Sequence, residues 1–346
     1  MKRSKSKKGR FFGIIGILVL ILLILSYLGY KWTFSSALDI TQTVSIYIDD
    51  TKDFNAVVNL LEDSAKMKNS ALFRKVAEAM KYPDNLKTGK YDVNPKMNCI
   101  EIVRMLRNGN QSPVKLTFNN IRLKSELAER LGSQMMFGPN RLLAELQKPA
   151  VCAEYGFDTA TVVCMFIPNT YEIYWNTPVD KFLQRMKKEY DRFWTDERTS
   201  KAKELSLSQI EVSTLASIVE EETASAKEYP IVAGLYINRL RKGMPLQADP
   251  TVKYAVGDFA LRRILYSHLE IDSPYNTYKH TGLPPSPIRI PSVAGIDAVL
   301  NYSRHNYLYM VAKEDFSGTH NFAVSLSEHN NNARKYQEAL NRRGIR

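Results

Sequence analysis

The chain has 346 residues, with 48 Lys and Arg against 36 Asp and Glu for a formal net charge of +12. Its composition, 44% hydrophobic and 24% charged with 16 Gly and 15 Pro, excludes a disordered or collagen-like chain, and at about 100–200 residues per domain there is room for two domains. Three cysteines exclude a disulfide-framework fold, while the positive balance raises a nucleic-acid role that depends on where the charge lies.

Six of the basic residues, and no acid, lie in residues 1–10, MKRSKSKKGR, which leaves +6 for the remainder. Phe11–Tyr30 follows as 20 residues without a charge. A helix rising about 1.5 Å per residue would carry that run across one hydrocarbon core. The basic flank sets the N-terminus in the cytoplasm, so the expectation is a single-pass cell-membrane anchor over 11–31 with everything after it outside. A signal peptide cleaved near Ser35-Ser36-Ala37 is the alternative, but the apolar run exceeds the about 7–15 residues of a signal core. A basic stub that faces the membrane gives no support to a nucleic-acid partner. Cys99, Cys152 and Cys164 lie in apolar surroundings and read as buried thiols, with a Cys152–Cys164 bridge as the alternative.

After a polar linker over 32–42, the alternation at Val44–Ile48 predicts a strand. Helical patterns follow at 54–66 and 70–80, then Gly89 as a turn before a short strand. The run CIEIVRMLRN reads as a helix closed by Gly109, VKLTF as a strand, and 122–131 as another helix. Residues 44–118 thus form a small strand–helix–helix–strand unit, either a binding module or a spacer. In the connecting region 119–204, FIPNTY reads as a turn with an aromatic edge and 177–194 as an amphipathic helix.

The region 205–346 is the informative one. Ser208 and Glu211 form a capping box ahead of the helix IEVSTLASIVEEET. The next helix, YPIVAGLYINRLRKG, has Pro230 in its first turn, Arg239, Arg241 and Lys242 complementing the dipole in its last, and Gly243 as a stop. Beyond the Pro-rich TGLPPSPIRIP loop, a strand at 307–312 and His320-Asn321-Phe322 suggest a hairpin. Ser325 and Glu328 cap a final helix ending at Gly344.

The chemistry concentrates at Glu220-Glu221-Glu222. At 100° per residue, Leu215, Ile218 and Val219 form one stripe, and Glu222 points along it, while Glu220 and Glu221 fall on the polar side. Burial, two neighbouring acids and the helix C-terminus all raise the pKa of Glu222. That is what a general acid needs at neutral pH; the competing reading is a solvated helix end. Asp249 is either the second carboxylate of a glycosidase pair or, as an Asp-Pro N-cap, a structural residue, and the cap is favoured. Gln247, Asn238 and Tyr236 read as sugar hydrogen-bonders or as bridges between helices, and Asn276 as a turn residue or a substrate contact. The five histidines lack ligand spacing, so no metal and no cofactor is expected.

These residues carry a resemblance. LASIVEEETASAKEYPIVAGLYINRLRKGMPLQADPTVKYA, YNTYKHTGLPPSPIRIPS, the YLYMVA and HNFAVSLSEHN ending and FIPNTY together resemble the endolytic murein transglycosylase, YceG-like, family. The match is dense over 214–336, thin before 165, and includes the anchor. It implies an α+β chain: one transmembrane helix, a LysM-like module at 44–118 and a mixed α+β catalytic region at 205–346. It implies a membrane-anchored lyase that cleaves the MurNAc-β-1,4-GlcNAc bond of nascent peptidoglycan strands, leaves a 1,6-anhydro end and terminates elongation beside a peptidoglycan synthase. The family's catalytic glutamate, the second of its V-E-K-E-T pattern, falls on Glu222. Glu220, Asn238, Gln247, Asp249, Thr251, Tyr275, Asn276 and Thr277 are the candidate substrate contacts. Three positions depart from the pattern: Glu221 replaces a Lys, Ser286 a Gly and Asn169 an Asp. The first is expected to raise the Glu222 pKa further, and the second puts the loop geometry at 282–288 in question. A lysozyme-like hydrolase using Asp249 and a non-enzymatic peptidoglycan-binding scaffold are the competing readings.

Overall fold

A computed structural model describes residues 5–261 and 263–344; residues 1–4 of the basic stub lie outside the described residues. The chain divides into two compact units, Met1–Lys115 with Glu172–Asn176, and Leu116–Tyr171 with Thr177–Arg346.

The first unit begins with helix α1 (Lys5–Phe34), which starts ahead of the apolar run and ends inside the expected linker. Its side chains over 11–27 are exposed. Among the described residues, no helix is long and apolar enough to cross a membrane. Strand β1 (Val44–Ile48) is followed by α2 (Phe54–Ala65) and α3 (Ser70–Ala79), then β2 (Gly89–Val93), α4 (Cys99–Asn108) and β3 (Val114–Thr117). β1 and β2 pair antiparallel, from Val44 opposite Val93 to Ile48 opposite Gly89. Gly89, expected in a turn, instead opens β2. Alternation turns Ile46, Ile48, Tyr91 and Val93 inward against Val58, Leu61, Phe73, Ile102 and Leu106. The helix ends follow from local chemistry. Asp53 accepts from the amides of Asn55 and Ala56, Asn98 and Glu101 form a reciprocal capping box, and Gly109 takes the left-handed conformation (φ 75°) that closes α4.

Beyond β3, which pairs with β4 (Thr170–Ile173), the second unit holds α5 (Lys124–Gly132), α6 (Gly138–Leu146), α7 (Pro149–Glu154), α8 (Val179–Phe193) and α9 (Asp196–Glu204). It continues through α10 (Gln209–Glu222), α11 (Tyr229–Arg241), α12 (Asp249–Val256), α13 (Tyr266–Leu269) and α14 (Val293–Leu300). The hairpin β5 (Tyr309–Ala312) and β6 (His320–Ala323) and the final helix α15 (Leu326–Arg342) complete it. Helices α6, α7 and α9 are not foreseen by the sequence pattern. The first two are short and open on Gly-Pro or Pro, and the third buries only Ala202, so none shows a long apolar period. All three cysteines are buried free thiols, so the Cys152–Cys164 bridge is not formed.

Helix α10 is the centre of this unit. Its expected two-faced character is not observed: Val212 through Glu220 are buried without a break. Helices α9, α11, α12 and α14 pack around it. Its polar side chains are satisfied inside the helix, since the hydroxyls of Ser213, Thr214 and Ser217 donate to the carbonyls of Gln209, Ile210 and Thr214. Ser217 also accepts from the Ile288 amide, which ties the Pro-rich loop to the helix. Opposite, α11 meets the segment at 303–305 so closely that a Cβ on Gly234 would run into the Ser303 carbonyl and the His305 ring. Gly234→Ala is therefore expected to destabilise the chain by about 1–3 kcal/mol, because backbone and not a flexible tip must move. Urea denaturation of the variant beside wild type measures it.

Candidate active site

Helix α10 ends on Glu222, and the backbone turns extended at Thr223. The Glu222 carboxylate accepts a 2.6 Å hydrogen bond from the Tyr236 hydroxyl on α11, whose ring is buried. Around it lies a cleft of about 220 Å³ lined by Tyr236, Arg239, Leu246, Gln247, Asp249, Tyr278, the β5 residues Met310–Ala312 and His320. Glu222 is half-buried, and the desolvation this brings is the largest influence on its carboxylate. The Tyr236 hydrogen bond and the Arg239 charge pull its pKa down, Asp249 and Glu221 push it up, and the balance lies at about 7. A glutamate with this pKa in a solvent-reachable cleft can both give and take a proton near neutrality.

Its two neighbours are held differently. Glu220, expected on a polar side, is buried. It accepts from the Ser292 amide at 3.0 Å and from the Ser292 hydroxyl, and its carboxylate lies 3.5 Å from the Arg289 guanidinium. Ser292 is the N-cap of α14, so Glu220 anchors that helix at its positive end rather than facing the cleft. Glu221 is not solvated either. It pairs with Arg122 and with Arg289, each at 2.9 Å. Those two cations offset the negative charge at this position, and Glu221 acts on Glu222 only weakly, in the expected upward direction.

The other candidate contacts separate into two groups. Asp249 and Gln247 are exposed in the cleft. Asp249 is not the expected N-cap: it is the first residue of α12, the cap position is Ala248, and the Asp249 carboxylate accepts from the Tyr278 hydroxyl at 2.6 Å. Gln247 has a positive φ of 50° and its amide donates to the Thr277 carbonyl, which turns its side chain beside Arg239. Thr251, Asn276 and Thr277 are buried and bonded within the protein. The Thr251 and Thr277 hydroxyls share a 2.8 Å hydrogen bond, and the Asn276 amide donates to the carbonyls of Leu269 and Ile271, which is its turn role. Asn238 bridges α11 to the carbonyls of His305 and Tyr307, outside the cleft lining. The Tyr275 hydroxyl pairs with that of Ser286 at 2.6 Å. Ser286 is buried, and its φ is not positive, so the loop does not need the glycine usual there. Asn169 accepts from the Thr170 amide, a local turn bond.

Four cleft or near-cleft residues are not found by sequence pattern. Arg239, read as a dipole complement at an exposed helix end, is buried, and it donates to the carbonyls of Leu308 and Leu246 at 2.6 and 2.7 Å. Tyr278 holds Asp249. His320 enters from β6, 98 positions beyond the acid, and Glu228 holds it. Only the tertiary fold brings these together; the one local hint is the HNF run at the expected hairpin.

One cleft thus brings together a glutamate with a pKa of about 7, a buried cation and a second carboxylate. The model of the YceG-like family matches residues 46–335, and the chain belongs to that family. It is 28% identical over 321 residues to the endolytic murein transglycosylase of Bacillus subtilis, covering 88% of this chain and 87% of that protein. To the endolytic murein transglycosylase of Streptococcus pneumoniae serotype 2 it is 26% identical over 348 residues, covering 90% of this chain and 62% of that protein. A crystal structure of a YceG-like protein from Listeria monocytogenes is similar with a TM-score of 0.56 at 27% identity, covering 84% of this chain and 98% of that one.

The Glu222 pKa has a consequence for stability. In the folded chain it lies at about 7, against an ordinary 4.5, so the folded state holds a proton that the unfolded state releases. Stability from this group is full below the ordinary value and is lost as pH rises toward the folded value. Glu222→Gln, which keeps an acceptor for Tyr236, is expected to be more stable than wild type at pH 8 by up to about 3 kcal/mol and near wild type at pH 4.5. Denaturation midpoints at the two pH values check this.

Proposed function

We propose that this chain is a membrane-anchored peptidoglycan lytic transglycosylase with Glu222 as its one acid–base catalyst. The observation that carries the reading is the Glu222 carboxylate, held by Tyr236 and raised to about 7 by burial. Family membership and relatives named endolytic murein transglycosylase support the substrate class. In this reading the protonated Glu222 gives its proton to the oxygen of the MurNAc-β-1,4-GlcNAc bond as the C1–O bond breaks. The muramoyl C6 hydroxyl then attacks C1 of its own sugar, and the Glu222 carboxylate takes the hydroxyl proton. The products are a free GlcNAc 4-hydroxyl and a 1,6-anhydro end, and the enzyme returns to its starting protonation. A nucleophile within the substrate gains an effective molarity that water lacks, so the chemistry needs only one protein carboxyl.

The charge-free run and its basic flank support placing α1 in the cell membrane, with the N-terminus cytoplasmic and the site on the outer side. The strand–helix–helix–strand arrangement of β1, α2, α3 and β2 supports reading 44–118 as a LysM-like glycan-binding module. A site tethered there would cut nascent strands near the membrane and end their elongation, beside a peptidoglycan synthase. Asp249 in the same cleft favours one second reading, a hydrolase in which it activates water.

Glu222→Gln is expected to abolish cleavage of purified glycan strands, and mass spectrometry of wild-type products is expected to find ends one water lighter than hydrolysed ones. Hydrolysed ends would favour the Asp249 reading. Because the acid must enter protonated, activity is expected to fall as pH rises through about 7. Tyr236→Phe removes a donor that favours the ionised form, so it is expected to move that alkaline limb upward by about one pH unit. Rate profiles of the two proteins between pH 5 and 9 test the shift.

A further inference from the structure

Strand β6 supplies a second group in the cleft that can exchange hydrogen bonds with a ligand. His320 lines the Glu222 cleft, and its side chain is 15% exposed, open enough to meet a ligand and enclosed enough to be held. The holding is done by Glu228, the buried residue that precedes the first turn of α11. One Glu228 oxygen accepts from the His320 amide at 2.8 Å, and the other lies 3.0 Å from His320 Nδ1. That second oxygen also accepts from the Thr223 hydroxyl at 2.8 Å. Burial alone would raise the Glu228 pKa, but these donors outweigh it and hold the group below the usual carboxylate range. An ionised carboxylate only accepts, so the Nδ1 beside Glu228 carries a ring proton, and in the neutral tautomer Nε2 keeps a lone pair for a hydroxyl donor. Among the described residues Nε2 has no hydrogen-bond partner. Thr223 directly follows Glu222, so the clamp on the imidazole and the end of the acid's helix are one connected piece.

We propose that His320 is a substrate-contacting residue whose Nε2 accepts a hydrogen bond from a hydroxyl of the sugar bound in the Glu222 cleft, with Glu228 as its positioning residue. This rests on the glycan-cleaving reading above and assigns it a second contact in the same cleft. Neither group enters the bond-breaking step. The role is to fix the pyranose ring against the acid, where a small misplacement is costly to the rate. The competing account makes the His320–Glu228 pair only a latch between β6 and α11.

His320→Asn separates the two, because its amide can still donate to Glu228 from near the Nδ1 position while nothing replaces Nε2. In the full chain acting on purified glycan strands, this variant is expected to keep the wild-type denaturation midpoint and to lose tenfold or more in kcat/KM. His320→Ala, assayed with and without added imidazole, is expected to regain part of its lost rate when imidazole fills the open site. Wild-type kcat/KM in His320→Asn, or a slow His320→Ala that imidazole leaves slow, overturns the proposal and leaves a latch. A wild-type chain that cleaves no glycan overturns the proposed function instead, so the two failures are told apart by the control.

Discussion

The constraint on which the second unit depends is the unbroken burial of α10 from Val212 to Glu220. A 14-residue helix with Val212 through Glu220 enclosed cannot leave its C-terminal acids in water. Its own hydroxyls close back onto its carbonyls, so the helix needs little from its neighbours except packing. Only at its end does the enclosure open into a cleft, and the residue at that opening is Glu222. The position works against an ionised side chain twice, through loss of water and through the helix dipole. The fold thereby sets the proton affinity of its acid with the same packing that holds the unit together.

The neighbouring carboxylates show that burial alone does not decide the outcome. Glu220 has the N-terminus of α14 and the Arg289 guanidinium, Glu221 has two arginines, and Glu228 has an amide, a ring N–H and a hydroxyl. Each is compensated by donors that favour the charged form. Glu222 receives one neutral donor, Tyr236, and faces Asp249 across the cleft. The difference between an acid that is a structural anchor and one that is poised to give up a proton is thus a difference in the number and charge of its donors. Arg122 and Arg289, paired with Glu221, also weaken its upward influence on Glu222.

Much of the architecture was legible because it is locally encoded. The caps at Ser208 and Ser325, the stops at Gly109 and Gly243, and the alternation of β1 all act within a few residues. The setting of Glu222 was legible for a partly mistaken reason. The helical-wheel argument supposed a wet face and a dry face, and it therefore misplaced Glu220, which is the more buried of the two. What the argument read correctly was a carboxylate directed away from bulk water at a helix end. Asp249 failed as a cap because the chain enters α12 one residue earlier than an Asp-Pro signature suggests, so that Ala248 takes the cap position and the carboxylate is freed for Tyr278. Arg239, Tyr278, Glu228 and His320 were not legible at all, since their meaning depends on α11, the 273–280 turn and β6 meeting in space.

That meeting has a consequence for how one carboxyl can suffice. In the proposed reaction a single group must be acid and then base, so it needs a pKa between those of an ordinary glutamate and of the sugar hydroxyl, and it must stay in place while its charge changes. Tyr236 meets the second requirement, because a hydroxyl can donate to the carboxylate and remain beside the carboxylic acid. Arg239 meets the first in moderation. Its guanidinium is committed to backbone carbonyls at 2.6 and 2.7 Å rather than to Glu222, so its charge is felt without forming an ion pair. A direct Arg–Glu pair would favour the ionised acid, and no proton would be available near neutrality. The backbone carbonyls of Leu246 and Leu308 are therefore as much a part of the acid's tuning as the groups that touch it.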